Sequence, residues 1–456
     1  MKSYKNEVLK KKDEMVKDLQ AWIAQKGVYD PNTIKDGAPF GHDVANSLKW
    51  IEEKAKSDGF NVKNHEGYCI EITHGEGKEC VMVLAHADVV PEGKGWTYPP
   101  YGGEVHNGLI YGRGASDDKG PALASYYALK ILKEQNIKLK RQIKIVIGGN
   151  EESGSKCLKY YFKEKKHPAP TYGFTPDADF PLIYGEKGIM TYVYEGEFSD
   201  NLIASFEAGL AANAVPSECE MVLKRELHLQ KAFTKWMQRH NFKGEYEEKE
   251  GKTYLKFHGK ASHGAFPEGG INAFTMLLYW VGKYTNSDFA KHFGTALSCY
   301  YGRRIGIAYY GEPMGPLTMN VGIARYDGQK YQLVINIRYP NNITGSMVAR
   351  VLDRSIMHRG SLVSDSKPLY MDPKSPFIKT LLKVYQEETG DYKQKPMTIG
   401  GGTYARETEN TVAYGMNFHR DNGTGNIHSP DEALNIEDLV DGASIYARAL
   451  EELCNL

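Results

Sequence analysis

A predicted buried strand that runs directly into two metal-capable side chains limits the possible folds of this chain most strongly. The apolar run at 81–84 is typical of such a strand, and His86 and Asp88 follow it two residues apart. In an extended backbone, residues at this spacing point to the same side. A histidine that binds a metal ion needs an acceptor for its second ring nitrogen, and Asp88 can be that acceptor. The stretch therefore predicts a polar site at the end of a buried strand.

The residues that follow continue an alternation of strands and helices. The turn GRGASDDKGP contains the adjacent acids Asp117 and Asp118, just before a helix predicted at 122–135. A second buried strand is predicted at 142–148. Strand, helix and strand in this order indicate an α/β fold, with a mostly parallel sheet and helices on both faces. In such sheets the functional groups collect at the carboxyl ends of the strands.

Further acids and one late histidine extend the set of metal-capable residues. Glu151 and Glu152 follow the second strand, Asp177 lies in PDADFP, and His428 lies in NIHSPDE. Carboxylates and imidazoles without thiolates suit zinc, manganese or cobalt. Of two adjacent glutamates, one can bind a metal ion while its neighbour takes a proton from water. A phosphate-binding role for GRGASDDKG is disfavoured, because the segment lacks the Gly-Lys-Ser/Thr ending of a P-loop.

Composition excludes several classes of function. The chain has 456 residues, enough for two or three domains, and equal numbers of basic and acidic side chains, 57 of each, so no nucleic-acid partner is indicated. No stretch approaches the roughly 20 apolar residues of a membrane span, and the first residues lack the apolar core of a signal peptide. The six scattered cysteines fit reduced thiols. We therefore expect a cytoplasmic protein with no membrane partner.

The pattern of the chain changes at about residue 186. From there to residue 374, strand-like and helical segments alternate in a way that predicts a separate α+β domain, long enough for two subdomains. The first pattern then returns and closes with a helix predicted at 436–453. We therefore expect a discontinuous first domain, 1–185 and 375–456, with 186–374 inserted into it.

Six sequence blocks resemble a known family. They are HxDVVPxGxGW, YGRGxxDDKGP, GxxEESGS, PDAxFP, INIRYP and GGGTYAR, and they occur in this order over essentially the full chain. The chain resembles the aminoacylase, carboxypeptidase and carnosinase family of dinuclear-metal peptidases, and within it the bacterial β-Ala-Xaa (carnosinase-like) dipeptidases. The resemblance implies two divalent metal ions, zinc or manganese, bound by the first domain, and an inserted domain that acts as a substrate-binding lid.

The resemblance also implies roles in the metal centre. Asp88 would support the histidine ligand, Glu151 would be the general base, and the peptide from Asp117 to Asp118 would be cis. Asp117 would bridge the two ions, Asp179 would have no ligand role, and Glu152 and Asp177 would bind opposite ions. The implied metal ligands are His86, Asp117, Glu152, Asp177 and His428.

In the inserted domain, the resemblance implies substrate contacts. His263, in GKASHGAFPEGG, would stabilise the oxyanion of the tetrahedral intermediate, with Asn213 nearby. Arg338 would hold the C-terminal carboxylate of the substrate, together with backbone N–H groups of Gly400, Gly401, Gly402 and Thr403. The insert is about twice as long as in relatives that take the equivalent histidine from a second subunit, so the resemblance implies a monomer.

These inferences lead to a metallopeptidase hypothesis. In it, a hydroxide bridging two divalent metal ions attacks the peptide bond of a dipeptide, with Glu151 as general base. An N-acyl amino acid deacylase or desuccinylase would use the same metal site and is the enzymatic alternative. A catalytically silent metal-binding or peptide-binding homologue is the other alternative, and the presence of Glu151 argues against it.

Overall fold

The computed structural model of the chain describes residues 3–355 and 360–456. Within these ranges the α-helices are α1 (Lys5–Ile23), α2 (His42–Ser57), α3 (Lys119–Glu134), α4 (Lys156–Lys159), α5 (Gln230–His240), α6 (Ala273–Tyr284), α7 (Gly345–Ser355), α8 (Pro376–Thr389) and α9 (Ile436–Asn455). The strands are β1 (Asn61–His65), β2 (Cys69–His74), β3 (Cys80–His86), β4 (Glu104–His106), β5 (Leu109–Tyr111), β6 (Gln142–Gly148), β7 (Tyr172–Thr175), β8 (Ala178–Asp179), β9 (Ile183–Glu186), β10 (Gly188–Glu197), β11 (Ile203–Ala208), β12 (Glu218–Leu223), β13 (Lys243–Lys249), β14 (Lys252–His258), β15 (Tyr310–Gly311), β16 (Gly315–Pro316), β17 (Thr318–Tyr326), β18 (Lys330–Tyr339), β19 (Gly360–Ser366), β20 (Leu369–Tyr370), β21 (Met397–Ile399), β22 (Thr411–Ala413), β23 (Met416–Asn417) and β24 (Ala433–Asn435).

The chain divides into two compact units. The first unit comprises Met1–Gly185, Met371–Met397 and Thr403–Leu456, and the second comprises Glu186–Tyr370 and Thr398–Gly402. Each unit has its own hydrophobic core. The short segment 398–402 belongs to the second unit through tertiary contacts, which no local sequence pattern reveals.

A mixed β-sheet forms the centre of the first unit and confirms the predicted α/β class. Its strands run in the order β1-β2-β6-β3-β7-β22-β9. The inner strands β6, β3, β7 and β22 are parallel to one another, whereas the pairs β1–β2, β2–β6 and β22–β9 are antiparallel. The strands β3 and β6, which the sequence predicted, thus belong to the parallel part of the sheet.

The strand β3 lies in the middle of this sheet and is buried along its whole length. Its continuous apolar run is typical of a parallel strand covered on both faces. His86, its last residue, pairs in register with Gly148, the last residue of β6. Because β3, β6 and β7 are parallel neighbours, the residues that follow them meet at one edge of the sheet.

The helix α3 begins at Lys119, slightly earlier than the sequence predicted. Pro121 occupies its first turn, where the missing N–H costs no intrahelical hydrogen bond. The buried ammonium of Lys119 donates to the carbonyls of Gln25 (3.2 Å) and Lys26 (2.8 Å), just beyond the end of α1. These bonds satisfy carbonyls that the helix end leaves open and tie α1 to the loop before α3.

One continuous antiparallel sheet carries the second unit. Its strands run in the order β13-β14-β12-β11-β17-β18-β10-β19. The helix α6 packs on β11, β12, β14 and β17, whereas α7 packs on β10 and β19. The two subdomains expected from the length of the insert thus share a single sheet. Across residues 3–355 and 360–456, no helix combines the length and the apolar character that crossing a membrane requires.

Candidate functional site

The carboxyl ends of the parallel strands bring the predicted metal-capable residues together. His86 is the last residue of β3, Glu151 follows β6, and Asp177 follows β7. Asp117 lies just before α3. Residues from four separate stretches therefore reach one edge of the central sheet.

The imidazole of His86 is buried and held in one tautomer. Its Nδ1 lies 2.9 Å from the backbone carbonyl oxygen of Asp88 and 3.6 Å from that residue's carboxylate. A carbonyl only accepts hydrogen bonds, so Nδ1 carries a proton, and in the neutral imidazole the lone pair is then on Nε2. The sequence placed the right residue beside the histidine, but the accepting atom is the carbonyl oxygen rather than the carboxylate. This arrangement leaves Nε2 free to bind a cation.

The carboxylate of Asp88 instead holds the turn that carries the two glutamates. Its two oxygens accept hydrogen bonds from the backbone N–H groups of Glu151 (3.0 Å) and Glu152 (3.1 Å). Asp88 is itself 1% exposed, so these charge-assisted bonds are shielded from water. One residue therefore positions both the histidine and the adjacent glutamates.

Asp117 lies between two histidines. Its Oδ1 is 3.0 Å from His86 Nε2, and its Oδ2 is 3.0 Å from His428 Nε2. Asp177 Oδ2 lies 3.5 Å from the first histidine, and Glu152 Oε1 lies 3.0 Å from the second. These residues thus form two groups of possible metal ligands, and Asp117 belongs to both. The peptide from Asp117 to Asp118 is cis, as expected.

The charge of this cluster suits divalent cations. His86 Nε2 is buried and makes no hydrogen bond within residues 3–355 and 360–456, although it faces carboxylate oxygens. Burial raises the pKa of Glu151, and the negative charges of Asp177 and Glu152 raise it further against the opposing effect of His86. Burial and Asp117 likewise raise the pKa of Asp177. The carboxylates repel one another in a desolvated site, so the residues present fit two divalent metal ions.

Two further acids near the cluster differ in their roles. Asp118 is fully buried, and its Oδ2 accepts a hydrogen bond of 2.9 Å from the backbone N–H of His86. The sequence showed Asp118 only as the second of two adjacent acids and gave it no role. Asp179, for which no ligand role was expected, accepts a hydrogen bond from Asn417 (2.8 Å) and lies 3.4 Å from His419.

In the second unit, Asn213 and His263 are joined through the backbone. The N–H of Gly264 donates to the carbonyl of Asn213 at 2.6 Å, and His263 Nδ1 accepts a hydrogen bond of 3.2 Å from the N–H of Ala265. Burial and the positive charge of Arg338 lower the pKa of His263. The neutral tautomer with Nδ1 as acceptor carries its proton on Nε2, which can donate to an oxyanion.

The guanidinium of Arg338 is buried beside Gly400. Its Nε donates to Asn336 Oδ1 at 2.8 Å and its Nη1 to the carbonyl of Gly400 at 3.0 Å. The structure therefore brings Arg338 and the glycine segment 400–402 together within the second unit. Thr403 belongs to the first unit, where its Oγ1 accepts a hydrogen bond of 3.2 Å from the N–H of Ala405.

Asn320 is a residue that the sequence gave no reason to select. Its buried side chain donates to the carbonyls of Ala214 (2.8 Å) and Ala212 (3.3 Å), which flank Asn213. Its own oxygen accepts a hydrogen bond of 2.9 Å from Asn272. An asparagine within a strand carries no local signal for such a role, because the two carbonyls that it holds are more than a hundred residues away in the chain.

The family of the chain follows from a match over most of its length. A model of peptidase family M20/M25/M40 matches residues 82–452. The chain belongs to peptidase family M20/M25/M40. The resemblance deduced from the sequence blocks is thereby confirmed, and the protein is a peptidase, a hydrolase of peptide bonds.

Individual relatives within the peptidase family cover nearly the whole chain. A putative dipeptidase of Bacillus subtilis (strain 168), YtjP, is 36% identical over 98% of both chains. A putative dipeptidase of Staphylococcus epidermidis is 34% identical over 99% of both chains. The fold is similar to human carnosine dipeptidase 1, with a TM-score of 0.58, 15% identity and 99% of both chains covered. It is also similar to the di-peptidase Dug1p of Saccharomyces cerevisiae, with a TM-score of 0.59, 16% identity and coverage of 99% and 98%.

Proposed function

We propose that this M20 peptidase is a metal-dependent dipeptidase that binds two divalent ions, zinc or manganese, in the first unit. The observation that carries the proposal is the position of Asp117, whose two carboxylate oxygens face two different histidines at 3.0 Å each. A carboxylate shared in this way is the usual bridge between metal ions about 3.5–4 Å apart. The names of the relatives above, putative dipeptidases at 36% and 34% identity, support the choice of substrate.

Two bound cations would lower the pKa of water and polarise the scissile carbonyl. The chain would then supply the proton acceptor, and Glu151 suits that role. Its backbone is fixed by Asp88, and within the described residues its carboxylate has no hydrogen-bond partner. Burial raises its pKa, and a carboxylate of raised pKa beside the reacting water can accept a proton and return it.

The second unit would bind and orient the substrate. The neutral imidazole of His263 would donate from Nε2 to the oxyanion, with Asn213 beside it. Arg338 would attract the free carboxylate of a short peptide, and its hydrogen bonds to Asn336 and Gly400 hold the guanidinium in place. The backbone N–H groups of Gly401 and Gly402, in the same segment, and of Thr403, the next residue, would donate to the same carboxylate of the substrate.

A panel of unblocked dipeptides, assayed on metal-stripped protein after each cation is added back, tests this proposal. We expect no hydrolysis by the stripped protein and recovery of turnover with zinc or manganese at two equivalents per chain. N-acetyl and N-succinyl amino acids serve as the matched alternative substrates. Faster turnover of those compounds than of dipeptides would replace the dipeptidase by a deacylase on the same metal site. Failure of every cation to restore hydrolysis of either class would refute a metal-dependent hydrolase.

We also propose a cytoplasmic monomer. The support for the compartment is that all six cysteines are free thiols, which fits a reducing environment. The support for the monomer is that one chain already contains His263, Asn213 and Arg338 in a unit built on an eight-stranded sheet. Analytical ultracentrifugation should give the mass of one chain, 51.2 kDa, and a dimer mass would refute the monomer.

A further inference from the structure

Glu432 is a fully buried acid whose carboxylate is directed at the loop that carries Asp117. Its Oε1 accepts hydrogen bonds from three backbone N–H groups, those of Gly114 (3.1 Å), Ser116 (3.0 Å) and Asp117 (3.2 Å). Its Oε2 accepts a hydrogen bond of 2.6 Å from the buried guanidinium of Arg113. Among residues 3–355 and 360–456, the hydrogen-bond partners of this carboxylate therefore all lie within the five residues 113–117.

The loop must curl around a single oxygen to make these three contacts. Gly114 has φ +88, a value that favours glycine, and an added Cβ there would lie 2.9 Å from Val89 Cγ1. A ring of backbone N–H groups around one anionic oxygen is a stable arrangement because each bond is charge-assisted. Glu432 therefore determines the path of the backbone directly up to the N–H of Asp117.

Glu432 itself belongs to the segment that contains His428. Glu432 follows this histidine by four residues, and its backbone carbonyl accepts a hydrogen bond of 2.9 Å from Gly112. The hydroxyl of Ser116 donates to the carbonyl of Ala433 at 2.6 Å. The loop with Asp117 and the segment with His428 are thus joined by both side-chain and backbone bonds, and Glu432 is the charged member of this connection.

We infer that Glu432 is a positioning residue of the metal centre, which fixes Asp117 relative to His428 so that one carboxylate can bridge two ions. The inference rests on the dinuclear centre proposed above. The carboxylate of Glu432 is bonded to the loop 113–117 rather than placed among the proposed ligands. It acts through the backbone of Asp117, and partners of this kind change metal affinity by about 10- to 100-fold when they are altered.

The substitution Glu432→Gln tests the role with a minimal change of shape. One amide oxygen can still accept from the loop, but the amide nitrogen is then directed at the donor Arg113, so the side chain cannot satisfy both partners. The probe is Mn²⁺ alone, followed by calorimetric titration and by electron paramagnetic resonance. Both measurements are made without substrate and report on metal binding rather than on turnover.

In the wild type we expect two bound Mn²⁺ ions with the spin coupling of a bridged pair. In Glu432→Gln we expect the second ion to bind about 10- to 100-fold more weakly and the coupled spectrum to be lost. Glu71→Gln is the matched control, because Glu71 is also a buried acid of the first unit, bonded to Lys144 and Tyr161, neither of which is a proposed ligand. This control should retain both ions and the coupling.

The outcomes separate this inference from the proposed function. A wild-type protein that binds only one Mn²⁺ would refute the dinuclear centre itself. A wild-type pair that persists unchanged in folded Glu432→Gln would overturn the role of Glu432 and leave the proposed function intact. If Glu432→Gln does not fold, as judged by circular dichroism, Glu432→Asp replaces it, since this variant keeps the charge but withdraws the carboxylate by one methylene from the N–H groups of the loop. Unchanged binding of the second ion in Glu432→Asp would equally overturn the inference.

Discussion

The backbone N–H of Glu151 donates to the carboxylate of Asp88 at 3.0 Å, so the proposed general base is held by the residue whose carbonyl orients His86. In Asp88→Asn, an amide NH2 group replaces one of the two oxygens that accept from the N–H groups of Glu151 and Glu152. This NH2 group cannot accept a hydrogen bond, so one of the two contacts is lost. We expect kcat and metal affinity both to fall by about 10- to 100-fold, as for other partners of metal ligands. Steady-state kinetics and metal titration measure the two effects. Asp179→Asn is the control, and an equal loss there would contradict the assignment.

The adjacent glutamates should respond differently to the same substitution. Glu151→Gln should retain both metal ions and lose turnover by about 10²- to 10⁴-fold, because only the proton acceptor is removed. Glu152→Gln should lose metal, because Glu152 belongs to the ligand group of His428. Metal content after dialysis, measured beside kcat, distinguishes the two variants. Near-normal turnover of Glu151→Gln would show that another group is the base.

Arg338→Lys should weaken recognition of the substrate's free carboxylate. A lysine keeps the charge but cannot bond Asn336 and Gly400 in the same planar geometry. We expect KM for unblocked dipeptides to rise by about 10-fold or more, with a smaller change for C-terminal amides. Arg325→Lys, on β17, is the control, since Arg325 donates to the carbonyls of Ala208 and Gly209. Equal effects on free and amidated peptides would refute carboxylate binding by Arg338.

Asn320→Ala should lower kcat without changing metal binding. The variant removes the two donors that hold the carbonyls on either side of Asn213. Small displacements of groups that must meet a transition state can cost up to about 10²-fold in rate. Asn342→Ala is the control, because Asn342 donates to an exposed carbonyl, that of Tyr310, at 2.9 Å. A kcat equal to that of the wild type would separate Asn320 from the proposed oxyanion site.

The acid sensitivity of the first unit should depend on Glu14. Burial opposes its ionisation, but Lys130 (2.7 Å) and Lys54 outweigh burial and lower its pKa from 4.5 to about 2. Because its pKa is lower in the folded protein than in the unfolded chain, the ionised carboxylate of Glu14 stabilises the folded state. This contribution is fully present above pH 4.5 and is lost as the pH falls toward 2.

Thermal unfolding of metal-free protein measures this effect. The wild type should exceed Glu14→Gln in Tm by an amount on the order of 1 °C at pH 7, because the ion pairs are partly exposed. The difference should shrink as the pH falls below about 4.5, the ordinary pKa of a glutamate. A difference that stays constant between pH 7 and pH 3 would contradict the linkage.

Much of the site could be predicted because its residues follow recognisable strands. The apolar run at 81–84 predicted a buried strand, so His86 was expected at its end, and Glu151 followed a second apolar strand in the same way. Parallel neighbours place such residues at one edge regardless of the details of packing. The identity of the possible ligands was therefore contained in local pattern and motif.

The partners of these residues were not predictable. The sequence could not show that Asp88 bonds His86 through its carbonyl, because a peptide carbonyl is present at every position. Nor could it single out Glu432 or Asn320, whose hydrogen bonds join segments that lie more than a hundred residues apart.

The sequence by itself determined the α/β class, the family and the residues able to bind metal, since apolar periodicity and short motifs act over a few neighbouring positions. Only the tertiary structure decided which oxygen faces which nitrogen, which acid holds the loop of Asp117, and which segment the glycines at 400–402 join. Those choices depend on hydrogen-bond geometry between distant segments, where a change of about 1 Å makes or breaks a contact.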